Sequence, residues 1–305
     1  MRIGLATCAV LPEPDLDEAP LLAALRAAGH EAASVAWDGP DGAPESLAAY
    51  DAVCLRATWN YAHDVERFVA WAERASRVTR VLNPAPVVRW NVEKTYLRRL
   101  AARGVAIVPT VFVAAGASVD VAAVLGARAW DRVVIKPTVG AGSMLAERFA
   151  VGDGVAGGLA AAQAFLDKHV ASRGMMIQRY MPSVESADAG ELAVVTIGGE
   201  VSHGVRKMAR FAADDERVDA SSPTADEAAF AESVLRAAGE ELDGASPLYA
   251  RVDVMRGEGG EILLSELELV EPSLYFGLGE GSAARFVRAL ERVMAAHNAG
   301  GGDRV

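Results

Sequence analysis

Cysteine is nearly absent: Cys8 and Cys54 are the only two in 305 residues. Both fall in apolar, strand-like runs, so they read as buried thiols of a reducing compartment, and their separation offers no metal-binding spacing. The histidines, at positions 30, 63, 169, 203 and 297, form no ligand pattern either. No apolar run approaches the ~20 residues that cross a bilayer, which argues against a membrane protein. Positive charge is in deficit, with 30 Lys and Arg against 41 Asp and Glu and a net charge of −11. A basic face for sequence-independent contact with nucleic acid is therefore not expected. The opening Met1-Arg2-Ile3-Gly4-Leu5-Ala6 leads directly into a strand pattern rather than a leader peptide, so a cytoplasmic protein is expected. The phosphate-loop pattern ending Gly-Lys-Ser/Thr is missing. Gly152-Asp-Gly154-Val-Ala-Gly157 matches the dinucleotide fingerprint in letters only. The preceding Met144–Phe149 is a poor parallel strand and no acidic strand end follows, so the stretch reads as a glycine-containing loop.

What is present is apolar residue, at 51% of the chain, enough for a large core shared by two or three modest domains. Strand patterns at 3–9, 30–37 and 50–58 alternate with helical patterns at 17–28 and 64–78. That alternation predicts a small, mostly parallel sheet covered by helices. Ligands of such sheets sit beyond the carboxyl ends of the strands. The third strand ends there in Arg56-Ala-Thr58-Trp59-Asn60-Tyr61, which offers a charge, a hydroxyl and ring faces to a small substrate; a packed loop with a paired arginine is the alternative.

Asn83-Pro-Ala-Pro86 interrupts the pattern and reads as the start of a new domain. Asn91 is expected to cap a helix that carries Lys94 and ends at Gly104. Residues 105–113 read as extended and 118–125 as helical. Arg132–Lys136 is an apolar strand ending in lysine, followed at once by Pro137-Thr-Val-Gly140-Ala-Gly142-Ser143. A lysine there reaches phosphate oxygens, and small residues let backbone amides close over the same group. Taken alone, the segment reads more readily as an ordinary turn. Further on, the pattern gives a helix over 156–170 and a strand over 175–181. A hairpin about Gly198-Gly199 follows, then an irregular stretch over 212–223. Thr224-Ala-Asp-Glu227 is a capping box that opens a helix, and a last helix spans 282–297.

The most informative stretch is Arg251-Val-Asp253, then a Gly-rich turn, then Ser265-Glu266-Leu-Glu268-Leu-Val-Glu271-Pro-Ser273. Alternation puts Arg251 and Asp253 on one face of one strand, and Glu266 and Glu268 on one face of the next. As a hairpin, these place three carboxylates and a guanidinium on one surface. Hard oxygen donors at this spacing suit magnesium; an acidic outer sheet face is the plain alternative.

The order Lys94, Lys136 with its glycine turn, Gln178-Arg179-Tyr180-Met181, Glu191, Arg206-Lys207 and the acidic hairpin resembles the ATP-grasp superfamily. The hairpin and Val134-Ile-Lys136-Pro are similar to D-alanine–D-alanine ligases and bacterial glutathione synthetases. The resemblance implies an α/β protein, α+β in its nucleotide-binding half. Its expected domains are a Rossmann-like N-terminal domain (1–88), a central subdomain (89–177) and a C-terminal subdomain (178–305). It further implies that Lys94 and Lys136 contact the phosphates of ATP, that Gly140, Gly142 and Ser143 form a flap, and that Gln178, Arg179, Tyr180 and Met181 hold adenine. Glu191 would lie near the ribose and Arg206 would reach the transferring phosphate. Asp253, Glu266 and Glu268 would hold Mg2+, two ions being expected and Mn2+ a substitute, and Arg251 would face the reacting carboxyl. Two departures stand out. Glu268 occupies a position where the family usually has asparagine, and the hinge lacks the acid common at Gln178 or Arg179.

The implied activity is carboxylate activation as an acyl phosphate and C–N bond formation. Leu55–Tyr61, Trp90–Leu97 and Glu266–Tyr275 are similar to a glutathione-synthetase-like group that includes the ligase closing D-cycloserine from an O-ureido-serine precursor. Arg56, Thr58, Trp59, Tyr61 and Ser273 are the expected substrate contacts. Expected partners are a small carboxylate or amine, with neither nucleic acid nor membrane, and a homodimer is compatible with the family. Peptide-bond formation between two amino acids and a kinase-like phosphotransfer are the rival activities.

Overall fold

In a computed structural model, the described residues are 1–142, 144–150, 158–185, 190–208 and 218–300. Ser143, the Gly152–Gly157 stretch and residues 212–217 lie outside them. The chain builds three sheets in succession. Strands β1 (Arg2–Thr7), β2 (Glu31–Ala36), β3 (Ala52–Ala57) and β4 (Arg80–Leu82) pair in parallel in the order β2-β1-β3-β4. Three helices belong with it: α1 (Glu18–Ala27), the short α2 (Pro44–Leu47) and α3 (Val65–Ala75). Every residue of β3 is buried, as a central parallel strand covered on both faces requires, and so it reads as a continuous apolar run. Phe68 and Trp71 of α3 pack with Val53 and Leu55 on one side; Leu21 and Leu25 of α1 pack with Ile3 and Leu5 on the other.

Two short helices follow, α4 (Ala85–Asn91) and α5 (Tyr96–Ala102). The sequence reading expected one helix capped by Asn91. Instead Asn91 closes α4, and its buried amide pairs with a distant strand segment, donating to the Leu267 carbonyl and accepting from the Leu269 N–H. Asn83 does the same, donating to the Tyr249 and Leu269 carbonyls and accepting from the Leu248 N–H. A buried amide that meets peptide groups on both its atoms supplies the hydrogen bonds a strand neighbour would give.

The second sheet, antiparallel, takes the order β5-β8-β6-β7 from β5 (Thr110–Val113), β6 (Arg132–Pro137), β7 (Glu147–Ala150) and β8 (Met175–Arg179). Helices α6 (Val121–Arg128) and α7 (Gly158–Val170) cover it through Val121, Leu125, Ala162 and Leu166. The boundary expected between residues 177 and 178 thus falls inside β8, and the stretch at 144–149, read as a poor parallel strand, contributes Glu147–Phe149 to the antiparallel β7.

The third sheet, also antiparallel, is built from β9 (Glu191–Ile197), β10 (Glu200–Lys207), β11 (Val218–Ala220), β12 (Tyr249–Arg256) and β13 (Ile262–Glu268), in the order β11-β10-β9-β12-β13. The segment expected to be irregular therefore contributes its edge strand. Helix α8 (Ala225–Glu241), opened by the Thr224–Glu227 capping box, covers one face through Ala231, Val234 and Ala238 against Leu192, Val194 and Val252. The other face is divided. Val195, Ile197 and Tyr249 pack with the first sheet and with α9 (Ser282–Gly300), whereas Glu191, Lys207, Arg251 and Asp253 open into a cleft. No helix among the described residues is long and apolar enough to cross a membrane.

Candidate active site

The cleft, of about 610 Å³, lies where the three sheets meet. Its walls are the turn Trp59–His63 after β3, the bend between α4 and α5, the end of β6 with its glycine turn, residues 178–181, the polar face of the third sheet, and the segment after β13. Sixteen residues expected at the site line it: Lys94, Lys136, Gly140, Gly142, Gln178, Arg179, Tyr180, Met181, Glu191, Arg251, Asp253, Glu266, Glu268, Trp59, Tyr61 and Ser273.

Lys94 is not on a helix surface but in the bend before α5, where its N–H donates to the Thr138 carbonyl at 2.7 Å. Its ammonium reaches the Gly140 carbonyl at 2.7 Å and Glu266 at 2.8 Å. Lys136 approaches the other oxygen of Glu266 at 3.8 Å. Two cations and the glycine turn are thus gathered at one carboxylate. Burial alone would depress the Lys94 ammonium, but Glu266, with Glu268 and Glu271 behind it, outweighs that and holds it above the ordinary lysine range.

The hinge is constrained by its own sheet. The N–H groups of Arg179 and Tyr180 donate to the carbonyls of Pro109 and Arg132, at 2.8 and 3.0 Å. The Gln178 side chain donates to Thr110 Oγ1 at 3.1 Å, and Arg179 pairs with Glu258.

The β12–β13 hairpin sets Asp253 opposite Glu266 and Arg251 opposite Glu268. Arg251 holds Asp253 in a fork, Nε to Oδ1 at 2.8 Å and Nη2 to Oδ2 at 2.9 Å, and also donates to Glu268. Lys207 completes the group, its ammonium 2.6 Å from Asp253 and 2.8 Å from Glu191. Burial raises the Asp253 carboxyl, but Arg251 and Lys207 overcome this and hold it at about 2. Glu266 is likewise lowered, because Lys94 and Lys136 outweigh its burial. Glu268 goes the other way. Burial and the charges of Asp253, Glu266 and Glu271 push it to about 8 despite Arg251. Burial also lifts Glu271 to about 7, against the pull of Lys94 and the Tyr61 hydroxyl. A buried surface with this surplus of negative charge favours added cations.

The three carboxylates offer the hard oxygen donors that suit Mg2+. Each is turned to protein cations, however, and among the described residues no three acidic, thiol or imidazole groups close on a common point.

Three expected residues are not in the cleft wall. Arg206 pairs with Leu192 on the face that α8 covers, and Lys207 takes the inward position opposite Glu191. The cause is one extra residue. Beyond Glu200↔Ile197 and Val201↔Thr196 the register shifts at Ser202 to His203↔Val195, which flips the parity of all that follows. Arg56 and Thr58 are buried beneath the site. Arg56 Nη2 donates to Asp17 at 3.3 Å and to the Pro272 carbonyl at 3.0 Å, holding the loop that carries Ser273 instead of facing a substrate. Tyr275 and Asn91 also line the cleft; the sequence points to no site role for Tyr275 and only to a helix cap for Asn91, and neither bears a local signal of the cleft.

A family model described as D-cycloserine synthetase DcsG, N-terminal domain, matches residues 3–83. The cycloserine biosynthesis protein DcsG of Streptomyces lavendulae is 35% identical over 310 residues, covering 94% of this chain and 97% of that protein. The chain belongs to the DcsG family. A crystal structure of D-cycloserine synthetase DcsG superposes with a TM-score of 0.86 at 32% identity, over 96% of this chain and 100% of that one. An ATP complex of D-alanine–D-alanine ligase from Bacillus anthracis superposes at 0.70 with 15% identity, over 99% of this chain and 100% of that one. The fold is therefore ATP-grasp, and this member of the DcsG family is an ATP-dependent ligase that forms a C–N bond.

Proposed function

We propose that the chain activates the carboxylate of an amino-acid-derived substrate and closes the amide within the same molecule, giving a cycloserine-type ring from an O-ureido-serine precursor. The observation that carries this reading is a cleft in which Lys94, Lys136, Lys207 and Arg251 meet the carboxylates of Glu191, Asp253, Glu266 and Glu268, with Trp59 and Tyr61 of the turn after β3 in its wall.

The lysines neutralise the phosphates of ATP and orient its terminal phosphorus toward the substrate carboxylate, so positioning and charge do most of the work. Lys207 takes the role first expected of Arg206. Asp253, Glu266 and Glu268 would hold Mg2+, two ions in this reading and replaceable by Mn2+, which adds further charge neutralisation at the phosphates. The carboxylate oxygen attacks that phosphorus and ADP leaves. The substrate's own nitrogen, the oxygen-linked nitrogen of the ureido group, then gives up its proton and attacks the acyl carbon, and inorganic phosphate departs. Water removes the carbamoyl group left on that nitrogen as carbon dioxide and ammonia to give the free ring. Arg251 lies where the oxyanion develops and stabilises it electrostatically. Gly140 and Gly142 belong to a turn that excludes water from a hydrolysable acyl phosphate.

The test is ADP release against D- and L-amino acids and O-substituted serines, with mass detection of products. Substrate-dependent ADP and phosphate with a cyclic product from O-ureido-serine supports the reading. A dipeptide would mark an intermolecular ligase, and phosphate retained on the product a kinase; either overturns the cyclisation.

A further inference from the structure

Every acidic side chain of the third sheet's polar face has a protein cation: Glu191 and Asp253 have Lys207, Glu266 has Lys94, and Glu268 has Arg251. Glu271 differs. It lies on the segment just after β13, is only 8% exposed, lines the cleft, and makes no ion pair with any described residue. Its polar neighbours come from the N-terminal sheet. Trp59 Nε1 donates to its main-chain carbonyl at 3.0 Å, and the buried Tyr61 side chain, also in the cleft wall, acts on its carboxyl.

Lys94 and Arg251 act on it only from beyond ion-pair distance, and a buried carboxylate without a paired cation costs free energy unless a ligand supplies one. A divalent ion is served by the three acids on β12 and β13, whereas the side chains that meet the Glu271 segment are Trp59, through its indole N–H, and Tyr61, neither of them a carboxylate that would complete a metal site. We propose that Glu271 anchors the substrate's ammonium group, so that the site selects an amino acid over a simple carboxylic acid. This rests on the ligase reading above and makes it more specific: Arg251 faces the carboxyl, and Glu271, with Trp59 and Tyr61, holds the ammonium beside it. The assignment also explains why residues of the N-terminal domain line the substrate end of the cleft. They complete a subsite whose charge comes from the C-terminal sheet.

The test compares O-ureido-serine with its desamino analogue, 3-(ureidooxy)propionate, in wild type and Glu271→Gln. A charge-assisted contact in a buried site is worth about 30- to 100-fold in discrimination. Wild type should prefer the amino substrate by that factor in kcat/KM, and Glu271→Gln should shrink the preference to about 3-fold, mostly through KM. An equal loss on both substrates would place Glu271 with the metal or phosphates and overturn the assignment, as would an undiminished preference. A binding measurement separates this from failure of the ligase reading. Calorimetry with Mg2+ and a non-hydrolysable ATP analogue should show serine binding to wild type and about 30-fold weaker binding to Glu271→Gln. Equal binding, or none to wild type, counts against the anchor even if no turnover is seen. Turnover failure with selective binding leaves the anchor standing and removes only the ligase chemistry.

Discussion

Asp17→Ala should weaken the whole molecule although Asp17 touches no ligand. Its carboxylate, 3% exposed at the start of α1, accepts from three successive main-chain N–H groups, those of Leu274, Tyr275 (3.1 Å) and Phe276 (2.7 Å), and pairs with Arg56. Arg56 is equally buried, and its guanidinium lies 5.6 and 5.9 Å from the rings of Tyr249 and Phe276. Truncation leaves an uncompensated guanidinium, which costs about 3–5 kcal/mol. It also leaves three N–H groups without their acceptor, at about 1–3 kcal/mol for each that stays buried. These costs share one acceptor and overlap, so the expected loss is about 4–6 kcal/mol. In a protein of this size that lowers Tm by roughly 8–12 °C. KM should rise too, because Ser273 rides on the released loop. The assay is urea and thermal unfolding of Asp17→Ala, Arg56→Met and the double variant. The double variant should lose about 2 kcal/mol less than the sum of the singles. A loss under about 1 kcal/mol for Asp17→Ala, or strict additivity, would refute the clamp.

Lys207→Met should reduce kcat by about 100- to 1,000-fold, as loss of a preorganised charge at a transferring phosphate does. Arg206→Met, on the α8 side, should stay within about 3-fold; steady-state ADP release decides, and the opposite ranking would contradict the bulged register. The ligand-free protein should also lose stability as pH rises from 6.5 to 8. Glu271 and Glu268 have folded values of about 7 and about 8 against an ordinary 4.5. The folded state therefore holds more protons than the unfolded chain in that range, and stability falls through it. His203, lowered by burial, acts in the opposite sense below its ordinary 6.5, which sets the lower limit. Thermal scans should show Tm falling across this window and Mg2+–ATP flattening the fall; a rising ligand-free Tm would contradict the charge surplus.

The acidic hairpin was legible because strict alternation fixes which side chains share a face, and Arg251, Asp253, Glu266 and Glu268 do share one. The N-terminal sheet was legible for a similar reason, since buried parallel strands read as apolar runs between helices. The resemblance implied Arg206 at the phosphate, whereas the structure turns Lys207 inward opposite Glu191. An unbulged hairpin about Gly198-Gly199 would pair Arg206 with Glu191, and the bulge at Ser202 that exchanges the two has no local signature. For Arg56 the two alternatives, substrate contact or a paired arginine in a packed loop, are not separable locally, because only long-range packing brings Asp17 and Pro272 to it. Asn91 shows the same limit, because a good helix-cap residue was used instead as a buried strand partner.

The most direct test of carboxylate activation uses O-ureido-serine labelled with 18O in its carboxyl group. Turnover through an acyl phosphate carries one labelled oxygen into inorganic phosphate, and Glu266→Gln, which weakens the metal hairpin, should abolish that transfer while leaving the circular dichroism spectrum unchanged. Unlabelled phosphate released during productive turnover would contradict activation of the carboxylate by ATP in this cleft.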